Sequence, residues 1–265
     1  MRLRAAENGA ALVVALWVLA ACLAPLLLGR NGYHLNLHAV LQPPSPAHIL
    51  GTDDLGRDVF ARTLLGARPV LALAAPATGL ALLLGGFLGL AAGFFGGLLD
   101  AVLGRIFEAM LAVQLILMAL LALSALGPSP VTATVVIGVV FTPLIARTVR
   151  AAVLRERGLD YVAAARLRGD GALRIMLVEI LPNVRGVLAA EGTVRLAYAI
   201  FTGASLSFLG FGAAPPSPDW GRTIADTYGL LAGGFWWPAI AAAGAIASLV
   251  INVQVLAQAM QREAA

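Results

Sequence analysis

The sequence contains no lysine. All 18 of its basic residues are arginine, set against 14 aspartates and glutamates. A nucleotide-binding P-loop needs a lysine to reach the β- and γ-phosphates, and Schiff-base or Ser-Lys catalysis needs one too. If ATP drives this chain, another chain must bind it. A single cysteine, Cys22, excludes an internal disulfide and any cysteine-based metal cluster. His34, His38 and His48 are the only histidines and fall in one hydrophilic loop, spaced four and ten apart. No HExxH-type spacing points to zinc, so they read as loop residues without a ligand. Charge is the largest deficit: 12% of residues are charged, about half of the ~25% of a water-soluble domain. With 60% hydrophobic residues and a mean hydropathy of +0.89, most of this chain has lipid as its solvent.

Apolar runs of about 20 residues cross a bilayer as helices. Residues Ala10 to Leu28 form the first, and Pro69 to Leu99, free of charge until Asp100, the second. From Ala109 to Ala146 no charge occurs, but "GPSP" (Gly127 to Pro130) punctuates the run as a turn and yields a third and a fourth. A fifth runs from about Gly186 to Phe211 and a sixth from about Phe235 to Ala259. The expectation is an all-α integral membrane protein of about six transmembrane helices. Residues 1–68 supply the first helix and an outer loop. Residues 69–265 supply a core of five helices, with a charged loop at 147–185 inside it.

Arginine placement orients the chain. With both termini in the cytoplasm, twelve arginines lie inside: Arg2, Arg4, Arg105, the eight from Arg147 to Arg185, and Arg262. Five lie outside (Arg30, Arg57, Arg62, Arg68 and Arg222), and Arg195 falls within the fifth span. The excess places both termini and the charged loop in the cytoplasm. "LAAC" (Leu19 to Cys22) looks like a lipoprotein cleavage box, but the apolar run continues past it to Leu28. A cleaved signal gives way to polar sequence at that point. An uncleaved helix is expected, with Cys22 as a buried small hydrophobe. Trp236 and Trp237 stand at the mouth of the sixth span, where aromatic belts occur.

The charged loop contains "LDYVAAARLRGDGALRIMLVEILPN" (Leu159 to Asn183). Asp160 suits an N-cap, and "YVAAARLR" is strongly helix-forming. Gly169 can close that helix in the left-handed conformation and Asp170 can cap the next. Helical periodicity then resumes, with Leu173, Ile175 or Met176, and Ile180 able to line one side, and Pro182 ends the unit. Two short helices at an angle are expected. On these residues alone, a basic hairpin lying on anionic lipid stands beside a rigid lever fixed at both ends to membrane helices. In the fifth span, Glu191 and Arg195 lie four apart on one face and can pair. They line either a watery cargo path or a structural contact near the cytoplasmic interface. The aspartates and Arg57 of "GTDDLGRD" (Gly51 to Asp58) are read first as capping and stapling an interfacial helix, and second as contacting a binding protein.

Three stretches carry a family resemblance. "DYVAAARLRGDGALRIMLVEILPN" resembles the cytoplasmic EAA loop of ABC-importer permeases. "LGTDDLGRDVFARTLLGARPVL" (Leu50 to Leu71) resembles the outer-loop signature of the dipeptide, oligopeptide and nickel permeases, C-type subunit. "LSFLGFGAAPPSPDWG" (Leu206 to Gly221) resembles their block after the fifth span. The resemblance implies a type I ABC-importer transmembrane domain without chemistry or cofactor of its own, ATP and Mg²⁺ being held by partners. Those partners are two cytoplasmic ATPase subunits, a second, B-type permease subunit and an extracytoplasmic binding protein; lipid surrounds the chain and nucleic acid plays no part. The cargo is a di- or oligopeptide, or alternatively nickel or a metal chelate, and the location is the bacterial inner membrane. The resemblance further implies coupling to the ATPase through Ala163, Ala164, Ala165, Gly169, Asp170, Ile175, Glu179, Leu181 and Pro182. Three features depart from the family pattern. Ala163 replaces the glutamate of the EAA triplet, Glu179 stands where histidine is frequent, and the tail "NVQVLAQAMQREAA" lacks the usual Gly-Asp and Asp-Pro elements. A polytopic membrane enzyme is disfavoured, because the six expected spans contain no histidine and few carboxylates; a passive channel would not need the charged loop.

Overall fold

The computed structural model describes residues 2–29 and 32–264; Met1, Arg30, Asn31 and Ala265 lie outside the described residues. The described residues form ten α-helices, with short 3₁₀ and π segments and no β-strand. They are α1 (Arg2–Leu27), α2 (Val59–Phe95), α3 (Gly97–Leu111), α4 (Leu115–Leu126), α5 (Pro130–Glu156), α6 (Asp160–Leu167), α7 (Ala172–Arg174), α8 (Leu181–Leu206), α9 (Trp220–Thr227) and α10 (Trp237–Ala264). Five helical units are long and apolar enough to cross a membrane, and a sixth is counted if the bent pair α3–α4 is one span.

Helix boundaries follow caps more than hydropathy. α2 begins at Val59, ten residues before the apolar run expected from Pro69, because the Asp58 carboxylate accepts the Ala61 N–H at 2.8 Å and fixes the first turn there. Residues 59–68 are thus the first turns of the second long helix. Its 37 residues extend about 55 Å at 1.5 Å per residue, against a ~30 Å hydrocarbon core, so both ends project. Ser129 caps α5 by accepting the Thr132 N–H at 3.0 Å, with Pro130 in the first turn.

The third span differs most from its hydropathy. No straight helix starts at Ala109. The chain breaks at residues 112–114, and α3 and α4 meet at 89°. The 12 residues of α4 reach only about 18 Å, too short to cross alone. α3 carries Asp100, Arg105 and Glu108, which hydropathy excluded from the span, and it lies across the direction of α4.

α2 and α5 form the most extensive pair of the bundle. Gly85, Gly89 and Gly93, four apart, line the seam. A Cβ on Gly89 would stand 2.6 Å from the Ala146 carbonyl, and one on Gly93 2.8 Å from Val153 Cβ. This is the small-xxx-small approach by which membrane helices gain van der Waals contact when lipid tails are as apolar as their own side chains. α4 packs on α5, with Ala119 and Leu123 fully enclosed. α8 and α10 complete the bundle, and α1 packs on α2 and α10, where the Trp17 indole donates to the Ser248 hydroxyl at 2.9 Å. Cys22 is exposed on α1, so the cysteine is not the buried residue expected.

Candidate functional site

At one end of the bundle, α5 leads into an elbow that returns through α7 to α8. α6 starts with Leu159 as N-cap, one residue before the expected cap. Asp160 occupies the first helical position, where its charge favours the helix N-terminus without a capping bond. Gly169 closes α6 at φ +80°; its N–H reaches the Arg166 carbonyl and that of Asp170 the Ala165 carbonyl, at 3.0 and 3.1 Å. Asp170 does not cap the next helix, whose N-cap is Gly171. It is held instead by Arg168 at 3.0 Å and Arg174 at 3.5 Å. Arg168 also reaches Glu179 at 2.8 Å, so one guanidinium ties both carboxylates across the bend.

The second half of the elbow is not a separate short helix. α7, a π segment (Ile175–Ile180) and α8 follow one another without a break to Leu206. Pro182, expected to end the unit, sits in the first turn of α8. Proline has no N–H and crowds the carbonyl four residues back. The π-type bond from the Leu181 N–H to the Met176 carbonyl absorbs that irregularity, as π-bulges do. The wider turn brings both Ile175 and Met176 inward with Ile180, while Leu173 is left 63% exposed.

The elbow is firmly seated. Val162, Ala165, Met176 and Ile180 are fully buried and Ile175 nearly so. Arg157 donates to the Gly93 and Phe94 carbonyls at 3.1 Å each, satisfying acceptors in the last turn of α2, and Arg166 lies over the Phe94 ring at 5.5 Å. The Tyr161 hydroxyl donates to Glu156 at 2.8 Å; burial, then this carboxylate, raise the phenol's pKa above its ordinary value. The expected coupling residues therefore divide into two groups. Ala165 and Ile175 face the chain's own interior, with Leu181 half-buried. Ala163, Ala164, Gly169 and Pro182 are exposed, beside Leu167, which is 90% exposed. Asp170 and Glu179 are already engaged by Arg168.

The opposite end is a clasp built from "GTDDLGRD". The buried Asp53 carboxylate accepts the Leu55 and Arg57 N–H groups at 3.0 and 2.9 Å and pairs with Arg57 Nε at 2.7 Å. Arg62 approaches it at 3.5 Å and donates to the Gly32 carbonyl at 3.1 Å. His48 Nδ1 lies 2.8 Å from Asp58. Gly51 and Gly56 both have φ +71°, and a Cβ on Gly56 would collide with the Asn36 carbonyl at 1.8 Å. Two indoles lock this segment to distant helices: Trp237 donates to the Thr52 carbonyl at 2.9 Å and Trp220 to that of Thr63 at 2.8 Å. Trp237 is thus a buried clasp rather than a belt residue; Trp236 is 53% exposed. Nearby, Asp219 caps α9 through the Arg222 N–H at 3.1 Å and accepts the Ser207 hydroxyl at 2.8 Å. Burial outweighs these bonds and raises its pKa above the ordinary carboxylate value. Among the described residues no cluster of three histidine, cysteine or carboxylate side chains is placed to hold a metal.

Along α8, Arg195 pairs with Glu191 at 3.0 Å. Glu191 also accepts from Thr148 of α5 at 3.2 Å, and the guanidinium stacks over Tyr198 at 5.6 Å. Tyr198 and Phe201 follow on α8 and Phe208 lies just beyond it, each at least 41% exposed, as a loose aromatic stripe. Phe201 and Phe208 border an apolar cavity of about 590 Å³ between α4, α8, α9 and α10. Sequence reasoning missed this stripe, the arginine ties of the elbow and the glycine seam. Only the seam had a readable signal, in its four-residue spacing.

A bundle of long apolar helices, continuous at one end with a buried-in elbow, is the architecture of a type I ABC-importer membrane domain. The family described as "Binding-protein-dependent transport system inner membrane component" matches residues 85–263, and the chain belongs to it. It is 35% identical to the dipeptide transport system permease protein DppC of Haemophilus influenzae, over 87% of this chain and 81% of that one. It is 38% identical to the DppC of Alkalihalophilus pseudofirmus, over 82% and 71%, and 31% identical to the probable D,D-dipeptide transport system permease protein DdpC of Escherichia coli, over 91% and 80%. The chain is accordingly a multi-span transport permease of the inner membrane.

Proposed function

We propose that this chain is a permease subunit of an ATP-driven importer of di- or oligopeptides. It forms one half of the translocation path, the other half being a related B-type permease chain. Two separate cytoplasmic ATPase subunits bind ATP and Mg²⁺, an extracytoplasmic binding protein delivers cargo, and both termini face the cytoplasm. The single observation carrying this reading is the elbow. Its inner face is riveted to α2 and α8, and its outer face offers Ala163, Ala164 and Leu167 between arginines. A rigid element anchored in this way transmits a push into helix tilt. ATP biases the transition by binding the closed ATPase pair more tightly than the open one, since a ligand moves an equilibrium only through such a difference.

The names of the relatives favour peptide as cargo over nickel. Glu191 and Arg195 belong to the path in this reading, because charges within spans face a bundle interior or a watery cavity. The partly open aromatic stripe beside them gives the pair such a surface. The test is uptake of labelled dipeptide, longer peptide and nickel by cells lacking this chain and then resupplied with it, with the other subunits present. Restored peptide uptake is expected. Restoration of nickel uptake alone would overturn the cargo assignment. Unchanged peptide kinetics in both Glu191→Gln and Arg195→Gln would remove the pair from the path.

A further inference from the structure

We infer that the crevice between α3 and α5 at the elbow end binds the phosphate of an anionic phospholipid. The crevice has a volume of about 470 Å³ and lies between α3, Ala92 of α2, and the Arg147–Arg150 turn of α5. Its charges do not balance. Arg150 closes on Asp100, the Nη2–Oδ2 distance being 2.6 Å, and Arg105 on Glu108 at 3.2 Å. Arg147 also lines the crevice and makes no ion pair among the described residues, which leaves one positive charge over. A guanidinium offers a planar fork of donors suited to a phosphate.

The surroundings select an amphiphile over a soluble anion. Leu103 and Phe107 form the apolar part of the crevice wall. On the outer side of α3, Leu98, Val102 and Ile106, four apart, are 81%, 49% and 49% exposed. α3 turns 89° from α4 and so lies across the direction that α4 takes. That is the attitude of an interfacial helix with acyl chains against its apolar face. A head group at Arg147 with chains along Leu98, Val102 and Ile106 uses both features; a free phosphate would use only the first. Basic pockets between membrane helices at the cytoplasmic surface are a recurrent setting for anionic head groups.

The experiment uses the full chain purified in mild detergent with whatever subunits accompany it. It is titrated with phosphatidylglycerol or phosphatidylcholine of matched acyl chains, and bound lipid is counted by native mass spectrometry. Phosphatidylglycerol is expected to bind in preference, and Arg147→Gln to weaken it about fivefold, the effect of one arginine near an anionic surface. Phosphatidylcholine binding and the unfolding temperature should not change. Arg185→Gln, an exposed arginine beyond the crevice, is expected to leave phosphatidylglycerol binding intact. Equal binding of the two lipids, an unaltered Arg147→Gln, or an equal loss in Arg185→Gln would each overturn the site. Displacement of the lipid by an equal concentration of glycerol phosphate would reassign the crevice to a soluble phosphate and overturn the lipid assignment.

Discussion

Gly169 gives the sharpest separation of backbone geometry from contact. Its φ of +80° is a conformation that L side chains rarely adopt, yet an added Cβ would meet nothing within 4 Å. Two residues on, Gly171 has equally open space but an ordinary φ of −68°. Alanine at both positions therefore adds the same atom to the same solvent, with strain at one position only. That strain is about 1–2 kcal/mol, equivalent to a factor of about 5–30 in the ratio of seated to unseated elbow. Peptide uptake by the complete transporter should fall in Gly169→Ala, by up to that factor. It should fall further in Gly169→Val, whose branched side chain resists the same backbone more, and less in Gly169→Asn, since asparagine tolerates the left-handed region. Gly171→Ala should match the parent. Membrane levels, followed by immunoblot, should be similar in all four variants because no core contact is touched. Indistinguishable uptake in Gly169→Ala and Gly171→Ala, at equal membrane levels, would refute the elbow as a geometrically fixed coupling element.

Three further outcomes follow from particular contacts. Gly89→Leu forces bulk against the Ala146 carbonyl and should destabilise the α2–α5 seam by roughly 1–3 kcal/mol, read as a lower unfolding temperature in detergent; Gly79→Ala, with nothing within 4 Å of its added Cβ, should not. Asp53→Asn leaves Arg57 and Arg62 facing a neutral amide, and breaking such a buried pair costs about 3–5 kcal/mol, so the yield of folded protein in the membrane should drop sharply. The raised pKa of Asp219 means that the folded state holds its proton more tightly than the unfolded one. Stability should therefore decline as pH rises from the ordinary carboxylate pKa through the raised value, the penalty being complete above it. Unfolding temperature measured across that window should show this decline, and Asp219→Asn should flatten it.

Much of this architecture is legible because lipid imposes it. Long runs without charge must be helices, since no water in the bilayer core can satisfy a bare backbone. That physics located the first, second, fourth, fifth and sixth long helices, with ends that differ by as much as ten residues. It failed where a polar contact set the boundary. Asp58 moves the start of α2 outward, and the break before α4 leaves an apolar run too short to span by itself. The elbow was readable as a glycine-hinged, charged interruption. Its interior was not, because the π segment shifts which side chains point inward: Met176 joins Ile175 and Ile180, and Leu173 turns out.

The sequence by itself determined that this chain lives in lipid, that it lacks the lysine to hold ATP in a P-loop, and that a charged helical arm interrupts its greasy spans. Those conclusions rest on composition and one-dimensional spacing, which solvent preference and helix geometry translate directly into structure. Only the tertiary structure decided that Arg168 ties Asp170 to Glu179, that Arg157 satisfies the end of α2, and that Arg150 finds Asp100 while Arg147 lines the same crevice without an ionic partner. An arginine's reach covers several turns of any neighbouring helix. Which carboxylate or carbonyl it meets depends on how the helices cross, and that is fixed by close packing along seams such as Gly85, Gly89 and Gly93.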